Sequence, residues 1–146
     1  MSDLYEDDIA LWSEQQGDLL RRLARGEKVN EQIDWENVAE EIESVGRNER
    51  HAVESHLIQA MAHALKARAW PQSSALSHWD AEMRAARGDA RRHFSPSMRQ
   101  LIDMPDLYNA ALDRVPEEID GQPPQPLPDV CPFTLDELLA PVKRPR

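Results

Sequence analysis

The sequence predicts an all-α protein: an irregular bundle of about five helices, followed by a Pro-rich C-terminal segment with a short final helical turn. Apolar residues recur at three- and four-residue steps over most of the first 115 residues, and no stretch alternates like a strand. Eight of the eleven prolines fall in residues 116–146, which favours extended chain there. We expect one domain, with the bundle at 1–115 and the segment 116–146 packed on it.

The first predicted helix covers residues 4–25. Asp3, with Glu6 three residues later, is expected to cap its start, and Gly26 is expected to end it. Its inward face consists of residues at helical spacing: Tyr5, Ile9, Trp12, Gln16, Leu19 and Leu23.

Two helices are predicted next, separated at Gly46. The first is short and begins after the N-cap Asp34, with an inward stripe formed by Trp35, Val38, Ala39, Ile42 and Val45. The second covers residues 47–69 and ends before Trp70-Pro71, because a residue that precedes proline is disfavoured in the α conformation. Its inward positions are Val53, Leu57, Ala60, Met61, Ala64 and Leu65.

The remaining elements are a helix over 77–94, a further helix that begins at Ser95-Pro96, and a final turn over 134–140. Ser95 is expected to cap the second of these, and Pro105 to split it near Met104. A capping box formed by Thr134 and Glu137 starts the final turn. The Pro-rich segment is expected to be pinned to the bundle by Leu127, Val130, Phe133 and Leu138.

Five blocks of this sequence resemble the domain of unknown function 29 family, a group of small bacterial proteins. They are DWENVAEEIESVGRNER (34–50), HLIQAMAHALK (56–66), Trp79, SPSMRQLI (95–102) and CPFTLDELL (131–139). The resemblance covers nearly the whole chain, and its specific part is the tryptophan-led acidic block. It implies an all-helical domain and no particular activity. Where the family often has an aromatic residue soon after the lysine that matches Lys66, this chain has Ala67, and Trp70 comes later.

Charge and composition exclude several classes of function. The net charge of −10 disfavours a large nucleic-acid groove and anionic lipid, and no apolar run is long enough to span a membrane. The charge is uneven: residues 1–46 hold 13 acids and 4 bases, whereas residues 47–99 hold 5 acids and 9 bases. An acidic N-terminus and a single cysteine, Cys131, favour a cytoplasmic protein without disulfides.

A carboxylate and histidine cluster is the first candidate for chemistry. The side chains of Glu36, Glu40 and Glu43 share one face of the short helix, and those of His56 and His63 share a face of the next helix. If these faces met, they would supply the ligands that helical bundles use for iron, manganese or zinc. The Glu-x-x-His motif of di-metal bundles is absent, so ion pairing of the glutamates with nearby arginines is the competing interpretation.

An arginine row is the second candidate, since Arg84, Arg87 and Arg91 share a helix face that could hold an anion or nucleic-acid phosphates. Ion pairing with the acidic helices is the alternative. Cys131 lies close to a predicted helix start but has no histidine after it, which favours a structural role over a nucleophilic one.

No catalytic motif stands out, and no cofactor is expected beyond the divalent metal of the first candidate site. The leading prediction is therefore a non-enzymatic module that binds another protein, or a second copy of itself. Metal binding and anion binding are the alternatives. An interaction module predicts a helix face that stays apolar and exposed in the monomer.

Overall fold

The computed structural model describes residues 3–142, and these residues confirm the predicted all-α class. The regular structure of these residues consists of six α-helices, two 3₁₀ turns (Asn30–Gln32 and Pro96–Gln100) and one isolated bridge between Ile119 and Gln122. None of the described helices is long and apolar enough to cross a membrane. The helices are α1 (Leu4–Asp7), α2 (Ile9–Ala24), α3 (Trp35–Ala69), α4 (Leu76–His93), α5 (Met104–Asp113) and α6 (Leu135–Leu139).

The chain divides into two compact units, residues 1–47 and residues 48–146, with the division inside α3. The core of the first unit is centred on Trp12, whose indole Nε1 donates to the Asp34 carboxylate at 3.0 Å. The Tyr5 ring packs edge-on against this indole, with ring centroids 4.9 Å apart. The other buried residues of this core are Val29, Ile33 and Val38.

The helix predicted over residues 4–25 is interrupted at Asp8, which the sequence analysis did not anticipate. The backbone of Asp8 leaves the helical region, with φ −151° and ψ 81°, and its carboxylate accepts a hydrogen bond from the Leu11 backbone N–H at 3.0 Å. A side chain that caps a new helix competes with continuation of the old one. Asp3 caps α1 as predicted, and Gly26 follows α2 with φ +92°.

The predicted break at Gly46 is wrong, because α3 continues from Trp35 to Ala69. An ideal Cβ at Gly46 would meet no atom within 4 Å, so this glycine serves no tight turn or close packing. Arg47 pairs with Glu40 at 2.6 Å and with Glu43 at 3.9 Å, across the glycine. The helix does end before Trp70-Pro71, as the restriction on the residue before proline predicts.

The core of the second unit follows the predicted helical spacing. Val53, Leu57, Met61 and Leu65 of α3 are fully buried, and they pack with Tyr108 of α5 and other buried residues. α5 begins at Met104 with Pro105 in its first turn, where the missing N–H does no harm. The predicted Ser95 cap is wrong, because the Ser95 side chain makes no capping hydrogen bond.

The Pro-rich segment belongs to the second unit and is fixed there by specific hydrogen bonds. The Trp70 indole donates to the Gln122 carbonyl at 2.9 Å, the Gln125 N–H donates to the Ala69 carbonyl at 2.8 Å, and the Tyr108 hydroxyl donates to the Pro128 carbonyl. Thr134 caps α6 as predicted. Leu127, Phe133 and Leu138 pack on the core, whereas Val130, predicted to do so, is 80% exposed.

Candidate functional site

The first turns of α3 carry an exposed apolar face. Trp35 is 46% exposed, Ile42 68% and Val45 65%, and Ala39 between them is also exposed. The helical spacing predicted that all of these residues face inward together with Val38, but Val38 alone of that set is buried. We call Trp35, Ala39, Ile42 and Val45 the apolar stripe.

The apolar stripe is held by ordered neighbours. The Trp35 indole donates to the Asn30 carbonyl at 3.1 Å, which fixes the ring on the 3₁₀ turn before α3. On another face of the helix, the Glu41 carboxylate accepts from the Tyr5 hydroxyl at 2.6 Å and raises the pKa of Tyr5 to about 12. The buried Val38 anchors the same segment in the core of the first unit. The stripe therefore lies on a helix whose orientation within this unit is fixed.

An acidic edge runs beside the stripe and contains the three glutamates of the predicted metal cluster. Glu36, Glu40 and Glu43 are exposed, and Glu40 and Glu43 pair with Arg47. This is the ion pairing that the sequence analysis raised as the competing interpretation. Each such exposed pair contributes at most about 1 kcal/mol to the free energy of unfolding.

The two histidines of the predicted cluster lie on α3 as well, in the second unit. The metal hypothesis required the glutamates and the histidines to lie on two helices packed face to face, but Glu36, Glu40, Glu43, His56 and His63 all belong to one continuous helix. Within residues 3–142, no group of three or more His, Cys, Asp and Glu side chains is placed to hold a metal ion.

His63 is mostly buried, and one of its ring nitrogens lacks a hydrogen bond within residues 3–142. Its Nδ1 atom is shielded from solvent and has no hydrogen-bond partner among the described residues. Burial, and then the positive charge of Lys66, lower the pKa of His63 below its usual value. The neutral imidazole is therefore favoured at neutral pH, which makes this position a structural one with a sensitivity to acid.

His56 has a different environment, which includes two residues that the sequence analysis did not single out. Its ring lies parallel to that of His93 of α4, with centroids 6.1 Å apart and planes 17° from parallel. The Glu49 carboxylate is 3.3 Å from Nδ1 of His93. Glu49 and His56 are seven residues apart, a spacing that predicts a shared helix face. The position of His93 beside them depends on the packing of α4 on α3, which spacing does not reveal.

The arginine row is divided among three different roles. Arg84 pairs with Asp80 of the same helix at 2.8 Å, and not with a residue of another, acidic helix as the alternative interpretation expected. Arg87 donates to the backbone carbonyls of α6 and its C-terminal flank, and burial, followed by the charge of Arg91, lowers its pKa from an ordinarily very high value. Arg91 is exposed and lines, with Arg84, a shallow depression of about 530 Å³. A row that presents three free guanidinium groups is therefore not formed.

Two other features of the second unit contain polar groups. Cys131 is half-buried, and its thiol donates to the Phe133 carbonyl at 3.3 Å. A depression of about 420 Å³ lies between Trp70-Pro71 and the Pro-rich segment, with Asp120 as the ionisable side chain in its wall. Neither feature assembles a nucleophile with a base.

Comparison with known proteins agrees with the resemblance seen in the sequence. Residues 4–142 match the family model described as a domain of unknown function, DUF29. The chain is also similar to an α-helical protein of unknown function from Rhodospirillum rubrum whose crystal structure is known. The two share 27% sequence identity with a TM-score of 0.69, over 95% of this chain and 90% of that one. No curated protein matches.

Proposed function

Because this chain belongs to the domain of unknown function 29 family, whose description assigns no activity, we propose a role from its own surface: a non-enzymatic protein-interaction module. The observation that carries the proposal is the apolar stripe on the first turns of α3, where Trp35, Ile42 and Val45 are 46%, 68% and 65% exposed. Single exposed apolar residues are ordinary on protein surfaces, but a continuous line of them marks a contact site.

The spacing of the stripe suits a partner helix. Its members lie at positions i, i+4, i+7 and i+10, so they form one seam about 15 Å long. The small side chain of Ala39 lies between the large ones of Trp35 and Ile42, which leaves a hole for an incoming side chain. An amphipathic helix that lays its apolar face along this seam would bury all four residues.

Trp35 is suited to be the anchor of such a contact. Tryptophan is among the residues that most often dominate the energy of protein interfaces, since one ring buries a large apolar area. The hydrogen bond from its indole to the Asn30 carbonyl holds the ring in place before a partner arrives. A ring that is already ordered loses little conformational entropy on binding.

The acidic edge specifies the charge of the partner. Glu36, Glu40 and Glu43 run along one side of the stripe, and residues 1–46 hold 13 acids against 4 bases. A partner helix with Lys or Arg beside its apolar face would be steered to this surface, and an acidic one would be repelled. We therefore infer a partner whose binding helix is apolar on one side and basic at the edge.

The size of the stripe indicates a transient interaction. Four side chains on three helical turns fall short of the roughly 800 Å² per partner that a stable interface of standard size buries. The binding should thus be reversible and sensitive to salt, because its charged rim is exposed.

Site-specific photo-crosslinking in cells that naturally make the protein tests this proposal. A photoreactive amino acid replaces Ile42 of the stripe in the full chain, and Leu101, which is 59% exposed in the second unit, is the matched control position. We expect a discrete adduct from position 42 that is absent from position 101. Trp35→Ala should reduce its yield at least several-fold, and mass spectrometry should identify a partner segment that is apolar with a basic edge.

The proposal fails if position 42 gives no adduct, or if positions 42 and 101 give the same adducts. An adduct with a second copy of this chain would indicate self-association and contradict the proposed basic partner. Sedimentation velocity over a dilution series would then show a mass that rises with concentration. We also propose the cytoplasmic location inferred from the sequence. Fractionation of the cells used for crosslinking tests this location directly.

A further inference from the structure

Two imidazoles meet on the surface of the second unit, where α4 ends beside α3. His56 of α3 is half-buried, and the side chain of His93, the last residue of α4, is 47% exposed. Their rings are 6.1 Å apart between centroids and nearly parallel. His56 is therefore partly covered by protein, whereas His93 is accessible to solvent.

The Glu49 carboxylate orients one of these rings. Its Oε2 atom is 3.3 Å from Nδ1 of His93. In the neutral imidazole, a hydrogen bond from Nδ1–H to this carboxylate leaves the Nε2 atom of His93 unprotonated, with its lone pair free. Carboxylates commonly orient metal-binding histidines in this way, and they also make the imidazole a better ligand.

We propose that His56 and His93 together bind one divalent transition-metal ion of the zinc type, with Glu49 as the residue that positions His93. Zn–N bonds are about 2.0–2.1 Å long, so two imidazoles that share one ion have centroids roughly 5–6 Å apart. The observed 6.1 Å is close to this separation. Because the rings are nearly parallel, binding would require them to turn about their side-chain bonds until one nitrogen of each faces the ion. Water would complete the coordination on the open side.

The surrounding charges favour a cation at this point. His93 lies at the C-terminal end of α4, where the helix dipole presents its negative end. The neighbouring ionic groups are already matched, since Arg92 pairs with Asp89 and Arg50 pairs with Glu54. Glu49 adds a negative charge on the α3 side. This site is separate from the apolar stripe, and the proposal does not depend on the proposed interaction with a partner.

Calorimetric titration of ZnCl₂ into the metal-free full-length protein tests the site. We expect one ion per chain with micromolar affinity, since two imidazoles without a third protein ligand hold zinc modestly. His56→Ala and His93→Ala should each weaken binding at least tenfold. Glu49→Gln should weaken it about tenfold, because a residue that orients a ligand typically has that effect on affinity.

Matched controls separate this site from other groups that bind zinc. His51→Ala removes an exposed histidine of α3, and His78→Ala removes an exposed histidine of α4. Cys131→Ser removes the single thiol. All three should bind zinc as the unaltered protein does. Circular dichroism of each variant verifies the helical fold, and ¹⁵N spectra of the imidazoles should show zinc-induced shifts at His56 and His93.

The inference is overturned if the unaltered protein binds zinc no more tightly than the double variant with His56→Ala and His93→Ala. It is equally overturned if His51→Ala, His78→Ala or Cys131→Ser weakens binding as much as His56→Ala does. Zinc should also raise the Tm of the unaltered protein but not that of the double variant, because an ion that binds only the folded state stabilises it.

Discussion

The guanidinium of Arg87 in α4 is hydrogen-bonded to the backbone at the end of α6, where its Nε donates to the Leu138 carbonyl at 2.9 Å. The carbonyls of Glu137 and Ala140 accept from Nη2 at 2.6 and 3.0 Å. The last carbonyls of a helix have no partner within it, so a cation that donates to several of them completes the helix end. Arg87 thus joins the final helix to the core of the second unit.

Replacing Arg87 by methionine keeps much of the apolar stem and removes these hydrogen bonds. We expect Arg87→Met to lower the free energy of unfolding by about 2–3 kcal/mol, because three carbonyls lose a charged donor. Arg84→Met is the control: its ion pair with Asp80 is exposed, so the loss should stay below about 1 kcal/mol. Urea denaturation of both variants measures the difference, and equal losses would contradict the structural role of Arg87.

The Trp70 indole gives a second prediction, about the Pro-rich segment. Its Nε1 donates to the Gln122 carbonyl at 2.9 Å, and the ring is 6% exposed. Trp70→Phe should lower the free energy of unfolding by about 1–2 kcal/mol, since it removes a partly buried hydrogen bond and part of a buried ring. Limited proteolysis should then cut within residues 116–130 faster than in the unaltered protein. Trp35→Phe, at an exposed tryptophan, should leave the cleavage rate unchanged.

Local signals explain what the sequence predicted well. The N-caps at Asp3 and Thr134, the end of α3 before Pro71 and the start of α5 near Pro105 depend on residues close together in the chain. The buried face of α3 after residue 50 also follows helical spacing. Such features need no knowledge of the tertiary structure.

The wrong predictions concern tertiary packing, which the spacing of residues along the sequence does not contain. The pattern from Trp35 to Val45 is amphipathic, but whether another element covers that face depends on distant parts of the chain, and here it stays exposed. The same holds for the candidate sites. Spacing placed His56 on a helix face, but it could not show that His93 of another helix lies beside it.

His63 predicts an acid-sensitive contribution to stability. Its pKa is lowered in the folded protein by burial, and an unfolded chain has a histidine pKa near 6.5. The unfolded state therefore takes up the proton first as the pH falls. Stability from this group is fully present above about pH 6.5 and declines below it, as the pH approaches the lowered pKa of the folded state.

A leucine at this position tests that prediction. His63→Leu should reduce the loss of urea midpoint between pH 7.5 and pH 5, because a leucine has no proton to take up. His51→Gln, at an exposed histidine of α3 that does not contribute to the lowered pKa of His63, should keep the pH dependence of the unaltered protein. If His63→Leu and the unaltered protein lose the same amount between these pH values, His63 does not contribute to the acid sensitivity.

Gly46 distinguishes the continuous α3 from the two shorter helices that the sequence suggested. In the middle of a helix, with no atom within 4 Å of an added Cβ, alanine should raise the free energy of unfolding by about 0.5–1 kcal/mol. Gly26 is the matched control, since its φ of +92° makes Gly26→Ala destabilising. Urea denaturation of Gly46→Ala measures the change, and far-ultraviolet circular dichroism follows its helicity. A helix that ended at Gly46 would need the glycine there, so a loss of stability in Gly46→Ala would argue for two helices, and a gain supports one.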